Sequence, residues 1–315
     1  MMNTAFSIVW NPSEGIDLGF FMIRFYSLMF VVAFGLGWWI MKKIFDRENE
    51  SIDKLDSLFV WTVVATLLGA RLGHVIFYQP ELFLDDPLSI LLPIRTQPDF
   101  KFTGFAGLAS HGAAISIIIM MYFFSKKIMK KSVLWVLDRV VIPVASGAIF
   151  VRLGNFFNSE IYGKPTDGNH FYAIKFVREE EFWQNHNLME MTQAQSENEA
   201  YNVIANNSKF TEVLNEIPFR HPSQLYESFA YIFVFFILYF LYWKTDARKK
   251  EGFLFGMFLI TLWPIRFVVE FVKASQGGFE NTLGHFSTGQ WLSIPFIILG
   301  LVYVFRNNTK KDEIY

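Results

Sequence analysis

Seven apolar runs, each close to the roughly 20 residues that a helix needs to cross a hydrocarbon layer, constrain this chain more than any other feature. They fall near residues 22–41, 57–78, 104–125, 133–151, 224–243, 252–273 and 289–305. Backbone N–H and C=O groups find no water inside a bilayer, so runs of this kind must satisfy one another as helices. The expected fold is therefore all-α: a polytopic membrane protein with about seven transmembrane helices. Hydrophobic residues make up 52% of the 315, above the roughly 45–50% of soluble domains, and the excess lies in these runs.

The basic residues then set a direction. Lys42, Lys43, Arg47 and Lys54 follow the first run, and Lys126, Lys127, Lys130 and Lys131 follow the third. Lys244, Arg248, Lys249 and Lys250 follow the fifth, and Arg306, Lys310 and Lys311 end the chain. The short connections on the other side carry Arg24, Arg95 and Lys101. The positive-inside rule thus expects a cytoplasmic C-terminus and, with seven spans, an N-terminus outside. The opening residues lack a basic n-region and a small-residue cleavage site, so no removed signal peptide is expected. The net charge of −1, with no dense basic face, argues against a nucleic-acid partner.

The spans read as one membrane domain, 1–315, without internal repeats. Residues 164–222, between the fourth and fifth spans, form an insertion on the outer side. Gln184 to Lys209 is rich in Gln, Asn and Glu, which suits a small, partly helical extracytoplasmic subdomain and not another span. There are no cysteines, so neither disulfides nor a thiol nucleophile of the protein's own are available. No His-Glu-x-x-His or Walker-type loop occurs, which argues against a zinc protease and a nucleotide site.

Polar residues inside the apolar runs carry the functional signal. Arg152, Asn155, Ser159 and Glu160 follow the fourth run and, if its helix continues, share an arc of about 140°. An Arg at membrane depth costs roughly 2.5–3.5 kcal/mol, so it is rarely there without a partner or a task. Such a group can hold an anion while the carboxylate orients the guanidinium; the plainer reading is an Arg that snorkels to the headgroups. Arg266 and Glu270 lie four apart, which also suits a structural intrahelical ion pair. His111 sits among small residues, Gly107-Leu-Ala-Ser before it and Gly112-Ala-Ala after it, which permit close helix approach and leave room for a ligand; a core histidine is the alternative. Tyr26 belongs either to an interfacial aromatic belt or to a site lining. Arg71 with His74, and His221, read as structural or open, while Glu227 is expected to cap or pair. Pro222 suits the first turn of the fifth span.

Taken together, five ordered motifs resemble the bacterial prolipoprotein diacylglyceryl transferase family. They are Arg-Phe-Tyr-Ser-Leu-Met-Phe at 24–30, Gly-Ala-Arg-Leu-Gly-His-Val-Ile-Phe-Tyr at 69–78, Arg-Leu-Gly-Asn-Phe-Phe-Asn-Ser-Glu-x-x-Gly at 152–163, His-Pro-Ser-Gln-Leu-Tyr-Glu at 221–227 and Arg-Phe-Val-Val-Glu at 266–270. The resemblance implies a seven-helix enzyme of the bacterial inner membrane. Its reaction would move the sn-1,2-diacylglyceryl group of phosphatidylglycerol onto the lipobox cysteine of a prolipoprotein, releasing glycerol 1-phosphate. By the same resemblance Arg152, Asn155, Glu160 and Arg266 bind phosphatidylglycerol, and Tyr26, His111, Arg266 and Glu270 matter for activity. Val151, Ser110, Ala113, Leu262 and Lys273 depart from the family pattern, the last two replacing a Tyr and an Arg.

This chemistry needs guanidinium groups aimed at phosphate oxygens and a base for a thiol whose reference pKa is about 8.5. His111 is the candidate base, and Arg152 and Arg266 the candidate phosphate ligands. No metal or organic cofactor is implied. The rival readings are an anionic-lipid transporter or flippase, which would favour inverted repeats, and a membrane scaffold.

Overall fold

The computed structural model describes residues 8–19, 22–92, 94–96, 99–102, 107, 109–274 and 286–306. The all-α membrane architecture is present. Its long helices are α1 (Phe25–Glu48), α2 (Ile52–Tyr78), α3 (Ser110–Phe124), α4 (Val133–Phe157), α5 (Ser223–Lys244), α6 (Phe253–Val269) and α7 (Thr288–Phe305). Six helices, α6 excepted, are long and apolar enough to cross a membrane, α3 through its continuation as a π turn to Met129. The run predicted at 252–273 forms the 17-residue apolar helix α6 and then turns, so the count of seven spans rests on a helix shorter than the six candidate spans.

Local chemistry starts and stops these helices. Ser51 caps α2 by accepting the Lys54 N–H, and Ser287 with Gln290 forms a reciprocal capping box at α7. Pro222 stands one residue before α5, at its cap, and not inside the first turn. Pro143, Pro264 and Pro295 lie within α4, α6 and α7, as membrane helices tolerate.

Contacts divide the chain into two compact units, Met1–Gly37 with Val141–Tyr315, and Trp38–Val140. In the second, α2 and α3 touch backbone to backbone: a Cβ on Gly73 would lie 2.6 Å from Gly112 Cα. The close approach expected of the small residues around His111 is thus real. Arg71 donates to the carbonyls of Ser89 (2.7 Å), Ile90 (2.9 Å) and Gly107 (3.4 Å), tying α2 to the following connection. His74 stacks on Tyr78 at 5.3 Å.

In the first unit, residues 164–222 pack around a core of their own. Val177, Trp183, Leu188, Ala200, Ile204 and Ile217 are buried together, beneath short helices at Glu180–Trp183, Leu188–Thr192, Glu197–Asn206 and Thr211–Glu216. Strands Ile174–Phe176, Phe219–Arg220 and Pro165–Thr166 form a sheet with the N-terminal strand Ile8–Trp10. Buried Arg220 pairs with Glu179 and, at 2.7 Å, with Glu181. Lys175 donates to the carbonyls of Leu214 (2.6 Å) and Asn215 (3.1 Å), and burial lowers its pKa from the usual lysine value.

Candidate functional site

The site is built where α4 ends. Its helix stops at Phe157 and does not carry on through Glu160, as the 140° arc assumed. Ser159 takes a left-handed φ of 54°. The Ser159 N–H returns to the Phe156 carbonyl (3.1 Å) and the Glu160 N–H to the Asn155 carbonyl (3.0 Å). This is the Schellman pattern, usually closed by glycine. Here a buried serine occupies the left-handed position, at a cost of about 1–2 kcal/mol.

The turn replaces the helix in bringing Glu160 back over Asn155. Asn155 accepts from Arg152 Nη1 (3.0 Å) and donates through Nδ2 to Glu160 Oε1 (2.7 Å). Tyr26, at the start of α1, shares a hydrogen bond with Asn155, and its ring lies against Gly154. Tyr26 therefore touches this cluster. The N-terminal end of α5 braces the turn from below: Gln224 Nε2 donates to the Glu160 carbonyl (2.6 Å) and Ser223 Oγ to the Ile161 carbonyl (2.8 Å).

A carboxylate from α5 joins the two predicted arginines. Glu227, 1% exposed, pairs with Arg152 through Oε2 and with Arg266 Nη1 through Oε1 at 3.6 Å. Glu227 was expected to cap or pair, but its place between both arginines is not visible from spacing along one helix. Tyr231, one turn further along α5 and 2% exposed, is hydrogen-bonded to Arg266. The helical interval from Glu227 to Tyr231 is the one signal of this arrangement in the sequence.

Arg266 therefore reaches across to α5 and does not form the anticipated i,i+4 pair with Glu270. The backbone is still helical there, with the Glu270 N–H on the Arg266 carbonyl (3.0 Å), so it is the side chains that part: Arg266 is taken by α5 and Glu270 by other partners. Its carboxylate pairs with Lys273 Nζ at 3.6 Å and sits over Gly289 in the first turn of α7, where a Cβ would lie 2.6 Å from Oε1. A helix N-terminus favours a carboxylate there. Lys273, where the family pattern has Arg, thus holds Glu270 by a point charge and not a fork.

Gly163 locks the signature to the loop after α6. Its N–H donates to the His221 carbonyl (2.8 Å), and it forms a β-bridge with Lys273. His221 Nδ1 lies 3.3 Å from the Tyr226 hydroxyl, and its ring stacks on Tyr172 at 5.5 Å. Burial first, and nearby His170 second, push its pKa below the usual 6.5.

So Tyr26, Arg152, Asn155, Glu160 and Arg266 form one connected network, and Glu270 stands beside Arg266 with its own partner. His111 occupies the second position of α3, in the other unit, and its side chain lies outside the described residues. Within the network the formal charges of Arg152, Arg266 and Lys273 are matched by Glu160, Glu227 and Glu270. No group of three or more metal-ligating side chains occurs among the described residues.

Six helices of membrane-spanning length and two guanidinium groups drawn together by a buried carboxylate define the class: a polytopic membrane protein with a buried ionic site. A sequence model of the family described as prolipoprotein diacylglyceryl transferase matches residues 14–306. A protein of Chloroherpeton thalassium named phosphatidylglycerol–prolipoprotein diacylglyceryl transferase is 35% identical over 307 residues, 97% of this chain and 96% of its own. Proteins of the same name from Porphyromonas gingivalis and Bacteroides fragilis are 36% and 32% identical; the alignments cover 90% and 99% of this chain and 88% and 99% of theirs. This chain belongs to the prolipoprotein diacylglyceryl transferase family.

Proposed function

We propose that this enzyme transfers the sn-1,2-diacylglyceryl group of phosphatidylglycerol to the cysteine thiol of a prolipoprotein's lipobox, in the inner membrane of a bacterium. The carrying observation is the pair Arg152–Arg266, held by Glu227 and braced by Asn155 and Tyr26.

The reaction follows from the charges. A thiolate sulfur attacks the glyceryl carbon bonded to phosphate oxygen; a C–S bond forms, that C–O bond breaks, and its electrons leave on glycerol 1-phosphate. The thiol proton passes to a base, for which His111 is the candidate. Arg152 and Arg266 bind the phosphodiester and take up charge as it grows on the departing oxygen. Asn155 and Glu160 fix the Arg152 fork, while Glu270 and Lys273 fix the chain beside Arg266. Residues 164–222 form an extracytoplasmic insertion on a single membrane domain, with the N-terminus outside and the C-terminus cytoplasmic.

The test is direct. Purified protein, phosphatidylglycerol and a lipobox peptide should give a diacylglyceryl adduct on cysteine by mass spectrometry, with glycerol 1-phosphate in equal amount. Lipid movement between leaflets without any adduct would support the transporter reading instead.

A further inference from the structure

We propose that Glu227 is a positioning residue that governs release of the phosphate product: it holds the two guanidinium groups as a pair while offsetting enough of their charge for glycerol 1-phosphate to leave. This inference rests on the transfer reaction proposed above.

Three observations carry it. First, the Glu227 carboxylate is 1% exposed and divides its oxygens between Arg152 and Arg266. A carboxylate whose only task was to satisfy one arginine would have no reason to straddle two. Second, an anion arriving here meets a cluster whose charges already cancel. Arg152, Arg266 and Lys273 are opposed by Glu160, Glu227 and Glu270. Third, Arg266 Nε is buried without a hydrogen-bond acceptor among the described residues, and Glu227 Oε1 likewise lacks a donor within hydrogen-bond distance. Glu227 thus faces Arg266 by charge across 3.6 Å, and the guanidinium's hydrogen bond to α5 goes to Tyr231.

The consequence lies in the difference between substrate and product. Phosphatidylglycerol is a phosphodiester with one negative charge. Its leaving group is a monoester whose second ionisation, near pH 6, brings it to about −1.5 to −2 at neutral pH. Two uncompensated arginines would favour that dianion over the incoming monoanion, and turnover would wait on product release. A fixed carboxylate between them repels the second charge and removes the preference. Tyr231 supports the arrangement by bonding Arg266 from the same face of α5 without adding charge.

The experiment uses the full-length protein with Glu227→Gln, which keeps shape and hydrogen bonding but loses the charge. Adduct formation is followed in the first turnover and in steady state. Glycerol 1-phosphate is the probe, its affinity read both as inhibition and as the shift it produces in thermal unfolding. Expected is a burst of about one adduct per enzyme, then a steady state slowed about tenfold or more, with glycerol 1-phosphate bound at least about tenfold more tightly. Glu227→Asp keeps the charge and should bind the product as wild type does, without a burst. It decides the matter if the Gln variant does not fold, because tighter product binding in Asp overturns the proposal. An unchanged product affinity in Gln, or a first turnover lost together with product binding, also overturns it. Absence of adduct in the wild type would instead reject the transfer reaction, while the thermal-shift comparison still reports on Glu227.

Discussion

At the scale of single residues, the arginines divide the work by geometry. Arg152 uses Nη1 on Asn155 and Nε on Glu227, so its fork is oriented before any substrate arrives. Arg152→Lys keeps the charge but replaces a planar fork with a point donor. Its turnover should fall by roughly 10²–10³-fold, while insertion and unfolding temperature stay close to wild type because an ammonium can reach the same carboxylate. Near wild-type turnover in this variant would reject the fork. His111 calls for a different measurement. If it takes the thiol proton, His111→Asn should lower turnover by roughly 10²–10⁴-fold, and the defect should shrink as pH rises toward the thiol's own pKa. A ratio of variant to wild-type rate that stays flat from pH 6.5 to 9 would leave the two arginines as the main catalytic groups. Much of this site was legible at residue level. Arg152 and Asn155 face each other because they are three apart on one helix, and that interval is written in the chain. Glu227 and Arg266 are partners across two helices, and no interval within either helix reports what the other presents.

Among the elements, the turn after α4 and the start of α5 behave as one piece. An arc through Glu160 holds only if α4 continues that far, and nothing in Phe-Phe-Asn-Ser-Glu marks a stop: the left-handed residue is serine, not the glycine that usually announces one. The stop is imposed from outside, by Gln224 and Ser223 taking the carbonyls of Glu160 and Ile161. Gly163 is where this piece meets the loop after α6. A Cβ there would lie 2.6 Å from both His221 Cβ and the Val272 carbonyl oxygen. Gly163→Ala should therefore destabilise the protein by about 1–3 kcal/mol, seen as a lower unfolding temperature, and should reduce activity by displacing Glu160. The same junction has a pH signature. His221 has a folded-state pKa below 6.5, so above that pH it is neutral whether folded or unfolded and contributes nothing to the pH dependence. Below it the unfolded chain takes the proton first, and stability falls by up to about 1.4 kcal/mol per pH unit. The wild-type unfolding temperature should drop more steeply than that of His221→Asn between pH 6.5 and 5. Parallel curves would show that His221 is not the group responsible.

At the scale of the whole molecule, the apolar runs were enough to anticipate an all-α membrane protein. In a bilayer, length and hydropathy decide the element with little help from tertiary context. They could not show that residues 164–222 would pack round a core of their own. Those apolar side chains, such as Trp183, Ile204 and Ile217, are spread through polar sequence and meet only when short helices fold over one another. Nor does the fold by itself say which face of the membrane the insertion occupies; that rests on Lys and Arg in the connections. The chain has no cysteine, so single cysteines can report on this without a background. Lys130, Lys249 and Gln195 are exposed positions, and a thiol placed at each should label fully in lysed cells. In intact spheroplasts, a membrane-impermeant maleimide should reach Gln195→Cys and leave Lys130→Cys and Lys249→Cys unmodified. Labelling at 130 or 249 with protection at 195 would invert the orientation, and would place the Arg152–Glu227–Arg266 cluster nearer the cytoplasmic surface.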